Sequence, residues 1–302
     1  MVKSQASIVI RNLSKRYSGS KEFALKNLSL KVMPGEVYGF LGPNGAGKST
    51  TIRLLMNFIQ PSSGNGSILG KDIVTDSVAI KRSVGYLAGD FAIYPKMTGR
   101  QYLSYLGGLQ KPVFGYDKEL AKLLNAEIDK KLGDLSRGNR QKIGIIQAFM
   151  HQPEILILDE PTSGLDPLMQ EVFNKLVSEA KQRGATVFIS SHIMSEVQKT
   201  CDRAGIIRAG KLVSEEDISQ LAKKAAQTFD IMFAGKAPVI ELGKIKGVKI
   251  EQKDGSQVTL HINGKLGPLL FELSKHDVTH MDARNLDLED MFMKFYQNED
   301  KK

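Results

Sequence analysis

The 302-residue chain has a single cysteine, Cys201. An internal disulfide is therefore excluded, and the composition fits a reducing compartment. No apolar run approaches the roughly 18 residues that cross a bilayer. Charges interrupt every apolar stretch of the first 30 residues, where a signal peptide would lie. The expectation is a cytosolic chain that reaches a membrane only through a partner. Long internal repeats and low-complexity tracts are also lacking. The length suits one large or two ordinary domains, with a core that needs no staples.

Acidic residues are in short supply in one region. The formal charge is +9, yet residues 221–302 hold 13 basic and 12 acidic residues, so nearly all the excess lies in residues 1–220. Within residues 1–35, seven basic residues stand against the single acid Glu22. Such a surface suits nucleotide, nucleic acid or anionic headgroups, and equally an ordinary solvated face.

The hydrophobic pattern alternates between two periods. Residues 7–41 read as strands and turns. "VYGFL" (37–41) is a buried strand, and Ile52, Leu55, Met56 and Ile59 then follow helical spacing. Residues 91–152 have few strands and several amphipathic segments, with stripes at Tyr102, Tyr105, Leu106 and Leu109 and at Ile143, Ile146, Gln147 and Met150. Strands return at 155–160 and 186–192, with a helix over 167–182 between them. Apolar strands alternating with helices imply an α/β fold with a mostly parallel sheet. A hairpin turns at Ala209-Gly210, a seam lies near 215–222, and a second hairpin turns at Asp254-Gly255. "DLEDMFMKFYQ" near the end reads as an amphipathic helix.

Between the 37–41 strand and its helix stands "GPNGAGKSTT" (42–51). No regular element favours that composition, whereas a loop that must approach a ligand closely does. Backbone N–H groups in such a loop cup an anion, and the helix N-terminus adds partial positive charge. Lys48 supplies a full charge and Ser49 a hydroxyl suited to magnesium. A second element, "ILILDEP" (155–161), carries two carboxylates at the C-terminal end of an apolar strand, where parallel sheets bind ligands. Asp159 suits a metal ion, and Glu160 suits alignment of a water on a γ-phosphate. A third, "LSRGNRQ" (135–141), opens a helix with Ser136 as N-cap.

These motifs, with the following "SGLD" and "SSH", resemble the ATP-binding subunits of ABC transporters in order and spacing over about 220 residues. The resemblance implies a P-loop NTPase of ABC type in residues 1–220. That domain would have an antiparallel β subdomain, a mostly parallel core sheet and a helical insertion at about 91–152. A small α+β accessory domain would occupy residues 221–302. It further implies ATP and Mg2+ as ligands, a second ATP-binding subunit forming a homodimer, and a separate transmembrane permease. The chain would then sit peripherally on the cytoplasmic face of the membrane. By the same resemblance, Tyr17 stacks on adenine. Gly42, Pro43, Asn44, Gly45, Ala46, Gly47, Lys48, Ser49 and Thr50 cradle the phosphates. Asp159 and Ser49 serve the metal, and Glu160 the attacking water. Ser136 and Gly138 reach the γ-phosphate on the opposite subunit. Asp166 lies at the subunit contact, and His192 senses the γ-phosphate.

Two departures from the family pattern stand out. Arg137 and Asn139 replace a glycine and a glutamine of the usual L-S-G-G-Q. Gly89, followed by Asp90, stands where the family has a glutamine that meets magnesium and the membrane partner. The stretches "VGYLAGDFAIYP" and "LEDMFMKFY" resemble the branch that drives drug and antibiotic export. An alternative is a soluble ABC-type ATPase acting on ribosomes or nucleic acid. The chain has neither the paired cassettes nor the long coiled coil of such relatives, so no nucleic acid is expected. A non-hydrolysing regulatory module is disfavoured by the presence of Lys48, Asp159, Glu160 and His192.

Overall fold

The structure is a computed structural model that describes residues 6–89, 94–109, 115–219 and 228–283. Asp90 and the amphipathic segment expected near 286–296 lie outside these residues. The chain divides into two compact units, Met1–Glu216 and Asp217–Lys302.

The larger unit is built on two sheets. The first is antiparallel, in the order β2-β1-β4-β5, from β1 (Ile8–Lys15), β2 (Leu25–Val32), β4 (Ser63–Ile68) and β5 (Lys71–Asp72). The second runs β10-β9-β3-β8-β7-β6, from β3 (Val37–Leu41), β6 (Val84–Leu87), β7 (Ile155–Asp159), β8 (Thr186–Ser191), β9 (Arg203–Arg208) and β10 (Lys211–Asp217). From β9 to β6 the pairing is parallel throughout. Every residue of β3, β7 and β8 is buried, which is why these strands read as unbroken apolar runs. Helix α1 (Lys48–Leu55) and the facing sides of the two sheets enclose one core of aliphatic residues with Tyr38, Phe40 and Phe188.

Phe188 is fully buried, stacked on Tyr38 at 5.8 Å and tilted against Phe40 at 5.4 Å. Replacing it with alanine leaves a cavity the surrounding strands cannot close. Phe188→Ala is expected to cost about 3–5 kcal/mol, read as a lowered denaturation midpoint of the larger unit. An unchanged midpoint would mean that the two sheets do not share this core.

Helix α2 (Ser77–Ser83) precedes β6. The next stretch is helical, with α3 (Gly99–Leu109), α4 (Tyr116–Leu123), a short 3-10 turn at Leu132–Asp134 and α5 (Arg137–Phe149). Helices α6 (Pro167–Gln182) and α7 (Met194–Thr200) cover the sheet near β8 and β3. Gly39 is required there, because a Cβ would lie 2.6 Å from Val197 Cγ1.

Three local expectations change. The helix after the glycine loop stops at Leu55, and Asn57 turns back with φ 51°, so Ile59 reaches the core from a loop. In α3 the buried face is Tyr102 and Leu103, whereas Tyr105 and Leu109 are 52% and 68% exposed. The second hairpin pairs Asp254 with Gln257, so its turn is Gly255-Ser256 with φ 55° at the glycine. Glycine at the first central position is what that turn geometry demands. The Ala209-Gly210 turn falls where expected, with both residues at positive φ.

The described residues 228–283 of the smaller unit form a βαββαβ arrangement. Its strands are β11 (Thr228–Phe233), β12 (Val248–Asp254), β13 (Gln257–Ile262) and β14 (Val278–Ala283), and its helices are α8 (Val239–Gly243) and α9 (Gly267–Leu273). The sheet order β12-β13-β11-β14, antiparallel throughout, is the ferredoxin-like split pattern. Its core is separate, formed by Phe229, Ile231, Leu242, Leu260 and Leu269 among others.

Candidate functional site

Parallel pairing brings three distant segments to one edge. Leu41 pairs with Ser191, and Ser190 with Asp159, so β3, β8 and β7 end side by side. The glycine loop, the Asp159-Glu160 pair and His192 emerge from those ends, where ligands bind in sheets of this kind.

The loop from Gly42 to Gly47 curls around the start of α1. Gly45 and Gly47 have φ of 80° and 112°, a region that favours glycine. A Cβ at Gly42 would lie 2.4 Å from the carbonyl oxygen of Ile207 on β9, so the loop is pressed against its neighbour strand. The side of Gly45 that a Cβ would occupy is open. Ala46 is buried, and its N–H donates to the carbonyl of Pro43 at 3.1 Å. Thr51 Oγ1 donates to the Gly47 carbonyl at 2.9 Å and anchors the first turn.

Lys48 is only 6% exposed. Its Nζ donates to the carbonyls of Gly42 (2.7 Å) and Pro43 (3.3 Å) and pairs with Glu160 Oε1 at 3.2 Å. Glu160 Oε2 lies 2.7 Å from His192 Nδ1. Lysine, glutamate and histidine thus form one continuous chain. Glu160 has φ 49°, an uncommon conformation for a glutamate. Its N–H is held by the Ser190 carbonyl (3.2 Å) and Ser190 Oγ (3.1 Å), which compensates that strain. Gln141 Nε2 holds the other side, donating to the carbonyls of Glu160 (3.3 Å) and Pro161 (2.9 Å).

Asp159 is buried, and its Oδ1 accepts from Ser190 Oγ. A Cβ at Gly89 would lie 3.1 Å from Asp159 Oδ2. Gly89, at the position where the resemblance would lead one to expect a glutamine, therefore faces this carboxylate and presents no side chain. Tyr86, on β6, is pushed up to about 12, by burial first and then by the Asp159 charge. No group of three or more His, Cys, Asp or Glu among the described residues is spaced to hold a metal. A magnesium site of one carboxylate, a hydroxyl and substrate phosphates needs no such group. Asp159 with one oxygen turned from Ser190, and Ser49 in the first turn of α1, fit that donor set.

Tyr17 follows β1 and is 39% exposed, with its hydroxyl 3.4 Å from Thr50 Oγ1 and Lys15 Nζ over its ring at 5.5 Å. Asn44 and Ser49 belong to the same loop and helix turn.

A second group forms around α5. Ser136 caps the helix as expected, accepting from the Asn139 N–H at 3.2 Å. Gly138 is packed so tightly that a Cβ would meet the Gly164 carbonyl at 2.6 Å. Asp166 caps α6, accepting from the Met169 N–H at 3.0 Å. The two unusual signature residues are both engaged. Arg137 Nη2 donates to Ser163 Oγ at 2.7 Å, and Asn139 Nδ2 to Glu127 Oε2 at 2.9 Å.

Ser190, Gln141 and Glu196 were not singled out by motif. Glu196 accepts from Thr162 Oγ1 (2.6 Å) and Ser191 Oγ (2.8 Å), tying the turn after Glu160 to the end of β8. The alignment of β7 with β8 reveals Ser190, and the contacts of α5 and α7 with the turn after β7 reveal Gln141 and Glu196; these signals are tertiary.

Comparison with known proteins agrees with this architecture. The ABC transporter family pattern matches residues 25–163. The chain is 35% identical over 294 residues to the bacitracin transport ATP-binding protein BcrA of Bacillus licheniformis, covering 94% of this chain and 95% of that protein. It is 31% identical to the protein of the same name from Enterococcus faecalis, over 95% of both chains. A solved ATP-binding subunit of an ABC transporter superposes with a TM-score of 0.65 at 26% identity, over 72% of this chain and 92% of that one. The chain belongs to the family of ABC transporter ATP-binding proteins. Its activity is ATP hydrolysis that powers transport.

Proposed function

We propose that two copies of this chain close face to face on two ATP molecules and drive a separate membrane permease in export of an antibiotic-type substrate. The observation that carries the catalytic part is the continuous contact chain Lys48–Glu160–His192 at the ends of β3, β7 and β8. A cation for the phosphates, a carboxylate for water and a group able to sense a third phosphate are brought together there.

In this reading the N–H groups of Gly42 to Thr50 and Lys48 bind the phosphates, and Tyr17 meets the base. Asp159 and Ser49 hold Mg2+, which neutralises phosphate charge when bound. Glu160 accepts a hydrogen bond from the attacking water. The water oxygen bonds to the γ-phosphorus while the bond to the β–γ bridging oxygen breaks, and ADP and phosphate leave. His192 contacts the γ-phosphate. Ser136 and Gly138 of one subunit, at the N-terminus of α5, contact the γ-phosphate bound to the other, and Asp166 lies at that contact. Residues 1–220 carry this work, and residues 221–302 form an accessory domain.

The permease docks on the helical stretch. That assignment is supported by a cleft lined by Met56, Tyr86, Leu106, Leu109, Gln147 and His151, beside the exposed Phe58, whose ring lies 5.4 Å from that of Tyr86. Exposed aromatic and aliphatic residues around a cleft mark a partner surface. No helix among the described residues is long and apolar enough to cross a membrane. Similarity to two bacitracin transport ATP-binding proteins over nearly their whole length favours an antibiotic-type substrate.

Sedimentation of Glu160→Gln with and without ATP and Mg2+ tests the arrangement. A dimer that forms only with nucleotide is expected. A variant that binds ATP and stays monomeric would remove the homodimer from the reading.

A further inference from the structure

Helix α5 holds the turn that carries Glu160 at two points, one helical turn apart. Gln141, only 6% exposed, donates to the carbonyls of Glu160 and Pro161. Arg137 donates from Nη2 to Ser163 Oγ at 2.7 Å. Residues four apart lie on one helix face, so both grips come from the same side of α5. Between them the backbones are in contact, since Gly138 leaves no room for a Cβ against the Gly164 carbonyl. The Arg137 side chain also covers Gly164, with Cγ and Cδ 3.4 and 3.6 Å from where a Cβ there would sit. The turn itself is closed by the Ser163 N–H donating to the Glu160 carbonyl at 3.2 Å. A shift of the α5 N-terminus therefore reaches Glu160 through the Arg137–Ser163 hydrogen bond and three peptide units of the turn.

We propose that Arg137 is a positioning residue for Glu160. Its bond to Ser163 straps the signature helix to the glutamate turn of the same subunit. Gln141 provides the inner grip, and the arginine that departs from the usual glycine adds the outer one. The inference rests on the reading in which Glu160 aligns the water and Ser136 and Gly138 contact the nucleotide of the other subunit. Under that reading the strap makes engagement of one ATP adjust the glutamate that acts on the other, so the two sites hydrolyse cooperatively. Arginine suits the task because its planar fork can bond Ser163 while its stem packs on the glycine backbone.

The test uses the full chain with four variants: Arg137→Ala, Arg137→Lys, Ser163→Ala and the Arg137→Ala/Ser163→Ala pair. Loss of one charge-assisted hydrogen bond is expected to lower kcat about 3- to 10-fold in each alanine variant, with KM changed less than about twofold. The pair should be no worse than the more damaged single variant, because both substitutions remove the same bond. Arg137→Lys, which keeps a donor, should recover most of the rate, and the Hill coefficient for ATP should fall towards 1 only in the alanine variants. Amide hydrogen exchange over residues 162–166 should quicken about tenfold in the alanine variants and stay unchanged over residues 44–50. Unchanged exchange, or quicker exchange with an unchanged kcat, overturns the proposal. So does a loss of rate in Arg137→Ala that Ser163→Ala does not share, which would place the cation on the partner's nucleotide instead. The exchange measurement needs no dimer. If Glu160→Gln fails to dimerise on ATP, the two-subunit reading falls, and the exchange result still decides the strap.

Discussion

Glu160→Gln is expected to lower the rate of ATP hydrolysis by about 10²- to 10⁴-fold, the usual worth of a positioned general base. The substitution keeps the size of the side chain and its capacity to hydrogen-bond. It removes the charge that now pairs with Lys48 at 3.2 Å. Nucleotide must displace that pairing in the unmodified chain, so the glutamine variant should bind ATP at least as tightly as wild type. Phosphate release under saturating ATP measures the first effect, and titration with a fluorescent ATP analogue measures the second. A variant that keeps more than about a tenth of the wild-type rate would remove Glu160 from the proton-accepting role. A variant that loses ATP binding along with the rate would show that the damage lies in the fold of the turn.

Lys48→Ala is expected to fail differently. Lys48 is the one full positive charge the glycine loop supplies, and it is held almost out of solvent by the Gly42 and Pro43 carbonyls. Fixed charge in such a place is worth far more than in water. Its removal should cost about 10²- to 10³-fold in hydrolysis, the range seen when one preorganised donor is lost. Here ATP affinity should fall as well, because on the proposed reading Lys48 would contact the phosphates in ground and transition states alike. The Glu160 carboxylate would keep its contact with His192 at 2.7 Å. The same two assays separate the variants: glutamine at 160 binds without turnover, and alanine at 48 loses both. Near-normal binding in Lys48→Ala would assign the phosphates to the backbone N–H groups alone.

Much of this site is legible along the chain. The glycine loop is readable because its composition defeats both helix and strand, and positive φ at Gly45 and Gly47 is the local reason. Strands β3, β7 and β8 are readable because burial on both faces leaves no polar alternation. Ser136 is readable as a cap, since capping involves residues only three apart, and the structure adds Asp166 as the cap of α6. Where reading by periodicity went astray, a local feature intervened. Asn57 ends α1 early, and α3 buries Tyr102 and Leu103 while exposing Tyr105 and Leu109. In the smaller unit the hairpin was evident, but the split βαββαβ order depends on which distant strands become neighbours.

The sequence by itself determined the parts: a loop able to hold phosphate, a strand ending in two carboxylates, a capped helix and a histidine after a buried strand. Each depends on backbone preference and on residues within a turn or two. Only the tertiary structure decided how they meet. The order β9-β3-β8-β7-β6 sets Leu41 beside Ser191 and Ser190 beside Asp159, across separations of 150 and 31 residues. It also decided that Arg137 and Gln141 grip the glutamate turn, and that Gly89 faces Asp159 without a side chain. Such pairings follow from burial of two-sided strands in one parallel sheet and from the close packing of α5 against it. Those forces act on the whole chain and leave no mark at any single position.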